Sequence, residues 1–163
     1  MRFTLEQDYA APPEAVAAAY ADPALYDAFG DLPRAGRPQV LSHVADGDVV
    51  VLEVRWSFTA TLSSAARAVI DPDRLSWVQR STHDLANLEV EFEMLPDHYA
   101  DRFKCTGSYW FVDDGEGGTT RRSEGDLKVR APLVGRTVEG AIIDGLKEQL
   151  RAEVPLVERF VKG

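Results

Sequence analysis

Apolar and polar positions alternate with a period of two along most of this chain, broken by two helical stretches near its start and one at its end. Phe3, Leu5, Gln7 and Tyr9 alternate with Arg2, Thr4, Glu6 and Asp8, which predicts a first strand with one covered face, ended by Pro12-Pro13. Residues 13–21 place a proline in the first turn, an acid beside it and then a run of strong helix formers, the pattern of a short helix. Asp22-Pro23 supplies the N-cap and first position of a second short helix, Ala24 to Phe29, which Gly30 stops.

From Pro38 to Ala131 the alternation is that of an antiparallel sheet. Val40 to Val44 and Val49 to Phe58 flank Asp46-Gly47, a hairpin signal. In the longer of these, Val50, Leu52, Val54, Trp56 and Phe58 share one face. Leu88, Val90, Phe92 and Met94 repeat the pattern against a ladder of Glu89, Glu91 and Glu93 that is expected to face solvent. Leu75, Trp77, Gln79, Ser81 and His83 form one face of a further strand, and Phe103, Cys105, Gly107, Tyr109 and Phe111 one face of the next. The turn at residues 113–118 leads into Thr119 to Val129. Ser63 to Ile70 is ambiguous: its alanines favour helix, and its place between strong strands tips the expectation towards a strand.

The period changes after residue 133. Val134, Val138, Ile142, Leu146 and Leu150 recur every four residues, an amphipathic helix of about five turns. Pro155 removes one backbone hydrogen bond, so a kink or a short second segment is expected to carry Val157, Phe160 and Val161.

Composition narrows the function classes. With 163 residues, 45% of them hydrophobic and 28% charged, the chain reads as one globular domain spanning 1–163, with no linker or repeat. Lys and Arg total 18 against 27 Asp and Glu, a net charge of -9, so nucleic acid and anionic lipid surfaces are repelled at long range. The densest basic positions, Arg121-Arg122 and Lys128 with Arg130, read as a solvated strand face. Cys105 is the single cysteine, so no disulfide or thiolate zinc site is expected, and a reducing, cytoplasmic location fits. No run approaches a spanning helix, so integral membrane association is not expected.

Strand, two short helices, six or seven antiparallel strands and a long C-terminal helix is the element order of an α+β helix-grip fold, a curved sheet wrapped around the last helix. Tyr9-Ala-Ala-Pro12-Pro13-Glu14-Ala15-Val16, Tyr20-Ala21-Asp22-Pro23 with Tyr26, and Pro132-Leu133-Val134-Gly135 running into the last helix carry a further likeness. On these motifs the chain resembles the START-like superfamily, which includes the birch pollen allergen, lipid-transfer START domains and polyketide cyclases. Its closing segment most resembles an uncharacterised bacterial branch of unknown function. The plant allergens carry a glycine-rich loop after the second strand; this chain has only Gly47 there, in a tight turn.

A sheet gripping a helix leaves a gap where facing side chains are modest in size, and such a gap suits an apolar ligand. Gly140 and Gly145, inside the last helix, fit either a cavity or close packing. The candidate lining is Val54, Trp56, Phe58, Trp77, Phe92, Met94, Tyr109 and Phe111 from the sheet and Val138, Ile142, Gly145 and Leu146 from the helix. Gln79 and Tyr109, with Gln7, supply polar contacts. His43, His83 and His98 lack any metal spacing and each lies on a predicted strand or strand edge; His83-Asp84 and Asp97-His98 read as solvated turn edges rather than acid-base pairs, and the acidic turns lack calcium-loop spacing. No catalytic residue and no cofactor is assigned. The leading expectation is a carrier or sensor of a hydrophobic or amphipathic small molecule, lipid- or polyketide-like. The alternatives are a cyclase- or dehydratase-type enzyme using the same pocket, and a co-chaperone-like protein-interaction module. The oligomeric state is left open.

Overall fold

The computed structural model describes residues 1–59 and 61–163. Seven strands form one antiparallel sheet: β1 (Arg2–Tyr9), β2 (Gln39–Asp46), β3 (Val49–Ser57), β4 (Ser76–Asp84), β5 (Glu89–Pro96), β6 (Phe103–Asp113) and β7 (Thr119–Val129). Their order across the sheet is β1-β7-β6-β5-β4-β3-β2. Helices α1 (Pro13–Tyr20) and α2 (Pro23–Phe29) connect the two edge strands, α3 (Ser64–Arg67) is a single turn, and α4 (Gly135–Lys162) fills the concave side. The apolar phase of every strand except the edge strand β2, which has no buried position, turns to the core under α4: Phe3, Leu52, Trp56, Trp77, Val90, Cys105, Tyr109 and Leu127 are all buried there, with Val138, Ile142, Leu150 and Val157 from the helix. This is the helix-grip α+β architecture expected from the period of the sequence.

One expectation needs correction, and one of the two alternatives at Pro155 falls away. Ser63 to Ile70 is not a strand: β3 and β4 pair directly from Val49 with Asp84 to Ser57 with Ser76, which leaves no slot between them. The segment instead leaves the sheet and coils into α3, where the Ser63 hydroxyl accepts a hydrogen bond from Ala66 N at 3.2 Å, before a 3-10 turn at Pro72–Arg74. Nor does Pro155 start a second segment, since α4 runs unbroken from Gly135 to Lys162. Pro155 and Arg151 are both exposed, so the carbonyl freed by the proline is open to water, and the next turn is anchored by fully buried Val157. Glu158, which accepts a hydrogen bond from Ala10 N at 2.8 Å, ties the same turn to the β1–α1 connection.

The curvature that lets the sheet grip a helix has a local cause. Gly107 and Gly125 face each other across β6 and β7. A side chain at Gly107 would collide with the Glu124 carbonyl oxygen and come within 2.6 Å of the Phe92 ring, and one at Gly125 would run into the Phe3 ring. Two aromatic rings thus lie on bare backbone where neighbouring strands come close, an arrangement that tolerates strong bending without opening a hole.

The helix glycines divide. Gly145 is buried, whereas a side chain at half-buried Gly140 would meet nothing within 4 Å. We expect Gly140→Ala to raise stability by about 0.5–1 kcal/mol, and Gly107→Ala to lower it by about 2 kcal/mol or more because backbone cannot yield as a side-chain tip can. Urea unfolding of both variants checks the opposite signs.

Candidate functional site

The centre of the grip is polar. Arg121, on the inward phase of β7 with Ser123 and Leu127, is 6% exposed. Its guanidinium carbon lies 3.9 Å from the centroid of the Tyr109 ring and 4.3 Å from that of Tyr20. Arg121 Nη1 donates to Gln7 Oε1 at 2.9 Å and lies 3.9 Å from Glu153 Oε2. Gln7 Nε2 in turn donates to the Leu150 carbonyl at 2.6 Å, so one amide links β1, β7 and α4. Glu153, 3% exposed, accepts from Tyr20 OH at 3.1 Å and from Gln149 Nε2 at 2.9 Å. Tyr9 OH shares a 2.7 Å hydrogen bond with Tyr20 OH.

The charge states follow from burial. Burial pushes the Tyr9 and Tyr109 hydroxyls up to about 12 and Tyr20 well above its ordinary value, so all three are neutral donors at pH 7. Burial raises the Glu153 carboxyl despite the opposing attraction of Arg121 and its two hydrogen bonds. Burial works against the Arg121 cation, but Tyr20, Tyr109, Tyr9 and Glu153 outweigh it and hold the group charged.

Small voids adjoin this cluster. One of about 40 Å³ is lined by Arg121, Glu153, Ser123, Gln149, Tyr20, Tyr26, Phe3, Leu5 and Leu150, together with the predicted residues Trp56, Gln79, Phe92, Met94, Tyr109 and Leu146. A second, of about 20 Å³, has Phe58, Trp77, Ile142 and Gly145 in its wall and shares Phe3, Met94, Leu146 and Gln149 with the first. A third, of about 10 Å³, continues between Phe58, Trp77, Phe103 and Ile142 towards His98. Val54, Phe111 and Val138 are buried but line none of these three voids. A void of 10–15 Å³ holds one water, so the first has room for two or three, far below the ~300 Å³ of a drug-sized site.

Several polar atoms in this region are buried without a partner: Arg121 Nε, Ser123 Oγ, and the indole nitrogens of Trp56 and Trp77, which are direct partners across β3 and β4. Three of the four are obligate donors.

Three expectations about polar residues are overturned or refined. Arg121 is not on a solvated face; only its neighbour Arg122 is. Its signal was its parity, since it shares the inward phase with Ser123 and Leu127. Gln149 and Glu153 were missed likewise, although both fall on the apolar stripe of α4 beside Leu146, Leu150 and Val157. His83 is not a turn-edge residue but fully buried, with Nε2 2.9 Å from Ser81 Oγ and Nδ1 unpaired. His43 and His98 are exposed, His98 as expected. Among the described residues no group of three or more His, Cys, Asp or Glu is placed to hold a metal, and Cys105 is a buried thiol pushed up to about 12 by burial.

The family described as Protein of unknown function (DUF2505) matches residues 4–161. The chain belongs to that family. No curated protein matches it. Among solved structures, this DUF2505 protein resembles the Zhui aromatase/cyclase from Streptomyces sp. R1128 (TM-score 0.69, 16% identity, covering 99% of this chain and 95% of that one). It also resembles norcoclaurine synthase from Thalictrum flavum (0.62, 18%, 99% and 86%). A third likeness is to a START superfamily protein from Mycobacterium smegmatis (0.59, 16%, 99% and 97%). At these identities the likeness is one of fold, and it places the DUF2505 chain on the START-like helix-grip architecture.

Burial, with repulsion from Arg121 and His43, lowers the His83 pKa to about 4. Between pH 6.5 and 4 the unfolded chain therefore binds the proton that the folded chain refuses, and stability falls with pH across that window by about 3 kcal/mol. His83→Gln removes this component, so the loss of urea stability between pH 7 and 4.5 should be smaller in the variant than in the wild type.

Proposed function

We propose that this DUF2505 protein binds a small, mostly apolar molecule bearing hydrogen-bond acceptors, with the acceptor end at Arg121 and the apolar body along Met94, Leu146 and Ile142. The observation that carries the reading is the set of unpaired buried donors, Arg121 Nε and the indole N–H groups of Trp56 and Trp77, around voids walled otherwise by aromatic and aliphatic side chains. Leaving a buried donor unpaired costs about 1–3 kcal/mol, which a ligand oxygen or a water would relieve. Arg121 is already balanced by Glu153, so a neutral acceptor such as a ketone, ester or amide keeps the buried site neutral, whereas a carboxylate would add a net negative charge. The fold's likeness to START-like and aromatase/cyclase proteins supports the same ligand class.

Binding requires the grip to open. Met94 and Leu146 belong to the wall shared by the 40 and 20 Å³ voids, and displacing them joins the two. Methionine suits that role because its thioether chain repacks at little cost.

A catalytic reading has one observation in its favour: a carboxylate with raised pKa, hydrogen-bonded to Tyr20 and beside a cation, is placed to take a proton next to a carbonyl polarised by Arg121. On that reading Glu153 is the base and the product leaves altered.

The test uses two fluorescent probes, 6-propionyl-2-dimethylaminonaphthalene and 6-propyl-2-dimethylaminonaphthalene, which share a carbon skeleton and differ by the ketone oxygen. The ketone probe should bind about tenfold tighter, about 1.4 kcal/mol, within the range of a hydrogen bond to a charged group. The double variant Arg121→Met/Glu153→Gln, which leaves no unpaired buried charge, should bind both alike. Equal affinities in the wild type would refute the acceptor site.

A further inference from the structure

The chain's negative charge is unevenly spread. One end of the sheet is acidic: Asp46 closes β2 and Asp48 follows in its turn, Asp84 closes β4, and Asp113 closes β6 with Asp114 and Glu116 in the turn to β7. At the other end, where the β3–β4 and β5–β6 connections carry Asp71, Asp73, Asp97 and Asp101, the stretch 127–138 contains Lys128, Arg130 and Arg136 and no acid. Lys128 lies directly opposite Lys104 across β6 and β7, and Arg130 N donates to the Arg102 carbonyl at 2.6 Å, so four exposed basic residues share one corner. Like charges directly opposite one another destabilise a strand pair. Among the described residues Lys104, Lys128, Arg130 and Arg136 take part in no ion pair; the acids nearest in sequence are Asp101, 3.9 Å from Arg102, Asp126, which pairs with the N-terminal amine, and buried Glu139, which accepts from Val129 N and lies 3.6 Å from the same amine.

From this basic corner projects an apolar tip. Ala131-Pro132-Leu133-Val134 joins β7 to α4, and Leu133 at its apex is wholly exposed, with a relative accessibility of 105%, and has φ +66°. A leucine here is doubly unfavourable: it leaves a large apolar side chain in water, and it holds the left-handed backbone region that glycine adopts freely. Neither penalty has a return inside the fold. At the root of the tip, Val129 pairs with Phe103, which lines the 20 and 10 Å³ voids.

We infer that the β7–α4 tip is a peripheral docking element for an anionic lipid surface, with Leu133 inserting among the acyl chains while Lys104, Lys128, Arg130 and Arg136 engage the headgroups. An apolar apex ringed by cations matches the membrane interface, whereas nucleic acid would use the cations and leave Leu133 in water. The net charge of -9 does not oppose this contact at close range. β7 has 11 residues, about 36 Å at the usual strand rise, several times the Debye length of about 8 Å at physiological salt, so the acidic end is screened from the surface. Among the described residues no helix is long and apolar enough to cross a membrane, and the contact inferred for the tip is a peripheral one. The inference stands apart from what the cavity holds.

Flotation of the full chain with vesicles of phosphatidylcholine and phosphatidylglycerol (7:3), and of phosphatidylcholine alone, tests it. The wild type should float with the anionic vesicles at 50 mM salt and at least tenfold more weakly with the neutral ones. Leu133→Gly should weaken anionic binding at least tenfold while leaving Tm unchanged or higher, because glycine accepts the backbone that leucine strains; a merely structural leucine would lower Tm and leave flotation intact. Lys104→Gln/Lys128→Gln should weaken flotation and raise Tm by removing the facing like charges. Absence of wild-type flotation, Leu133→Gly flotation equal to wild type, or tighter binding to a DNA duplex than to the vesicles would each overturn the inference.

Discussion

A guanidinium buried between two tyrosine faces is the constraint around which this molecule is arranged. Removing Arg121 from water carries a desolvation cost that one ion pair at 3.9 Å does not offset alone. The remainder comes from the π faces of Tyr20 and Tyr109 and from the Gln7 carbonyl oxygen. Each of these groups is itself held: Tyr20 by Tyr9 and Glu153, Gln7 by the Leu150 backbone, Glu153 by Gln149. The cation therefore joins β1, β6, β7, α1 and α4 through side chains that would otherwise have no reason to converge, in a place where most folds of this size have only hydrocarbon.

The same cluster explains why the cavity is small and wet in character rather than large and greasy. Polar groups that must satisfy one another draw the helix onto the sheet, and the Gly107 and Gly125 pair lets the strands bend to meet it. What remains is a chain of voids too small for a ligand but separated by side chains that can rotate, Met94 and Leu146 above all. Unpaired donors in their walls give those voids a chemical preference that a purely apolar gap lacks. The grip thus combines a rigid polar centre with a deformable apolar flank.

Much of the fold was legible in the chain itself because periodicity is a local signal. The inward phase of β1, β3, β4, β5 and β6 was read correctly from alternation, from Phe3 and Leu5 in β1 to Cys105 and Tyr109 in β6, and the four-residue recurrence from Val134 to Leu150 marked α4. The segment 63–70 was not legible, because alanine and serine sit comfortably in either geometry, and its helical turn was decided by the direct pairing of β3 with β4. Pro155 left two alternatives open for a related reason: a proline forbids one hydrogen bond, but whether a helix ends there depends on what anchors the next turn, here Val157 and Glu158.

For the candidate site, the aromatic and aliphatic wall was foreseeable and the polar centre was not. Trp56, Trp77, Phe92, Met94, Tyr109 and Leu146 announced themselves by phase and size. Arg121, Glu153, Gln149 and His83 carried the same phase, yet residue type argued for solvent, and type prevails when sequence is all there is. The sequence by itself determined which side of each element is turned inward, since that depends on dihedral geometry repeating along the backbone. Only the tertiary structure decided which inward positions could remain charged, since a buried cation is tolerable solely where partners from distant segments, Tyr20, Tyr109, Gln7 and Glu153, arrive within a few ångströms of it.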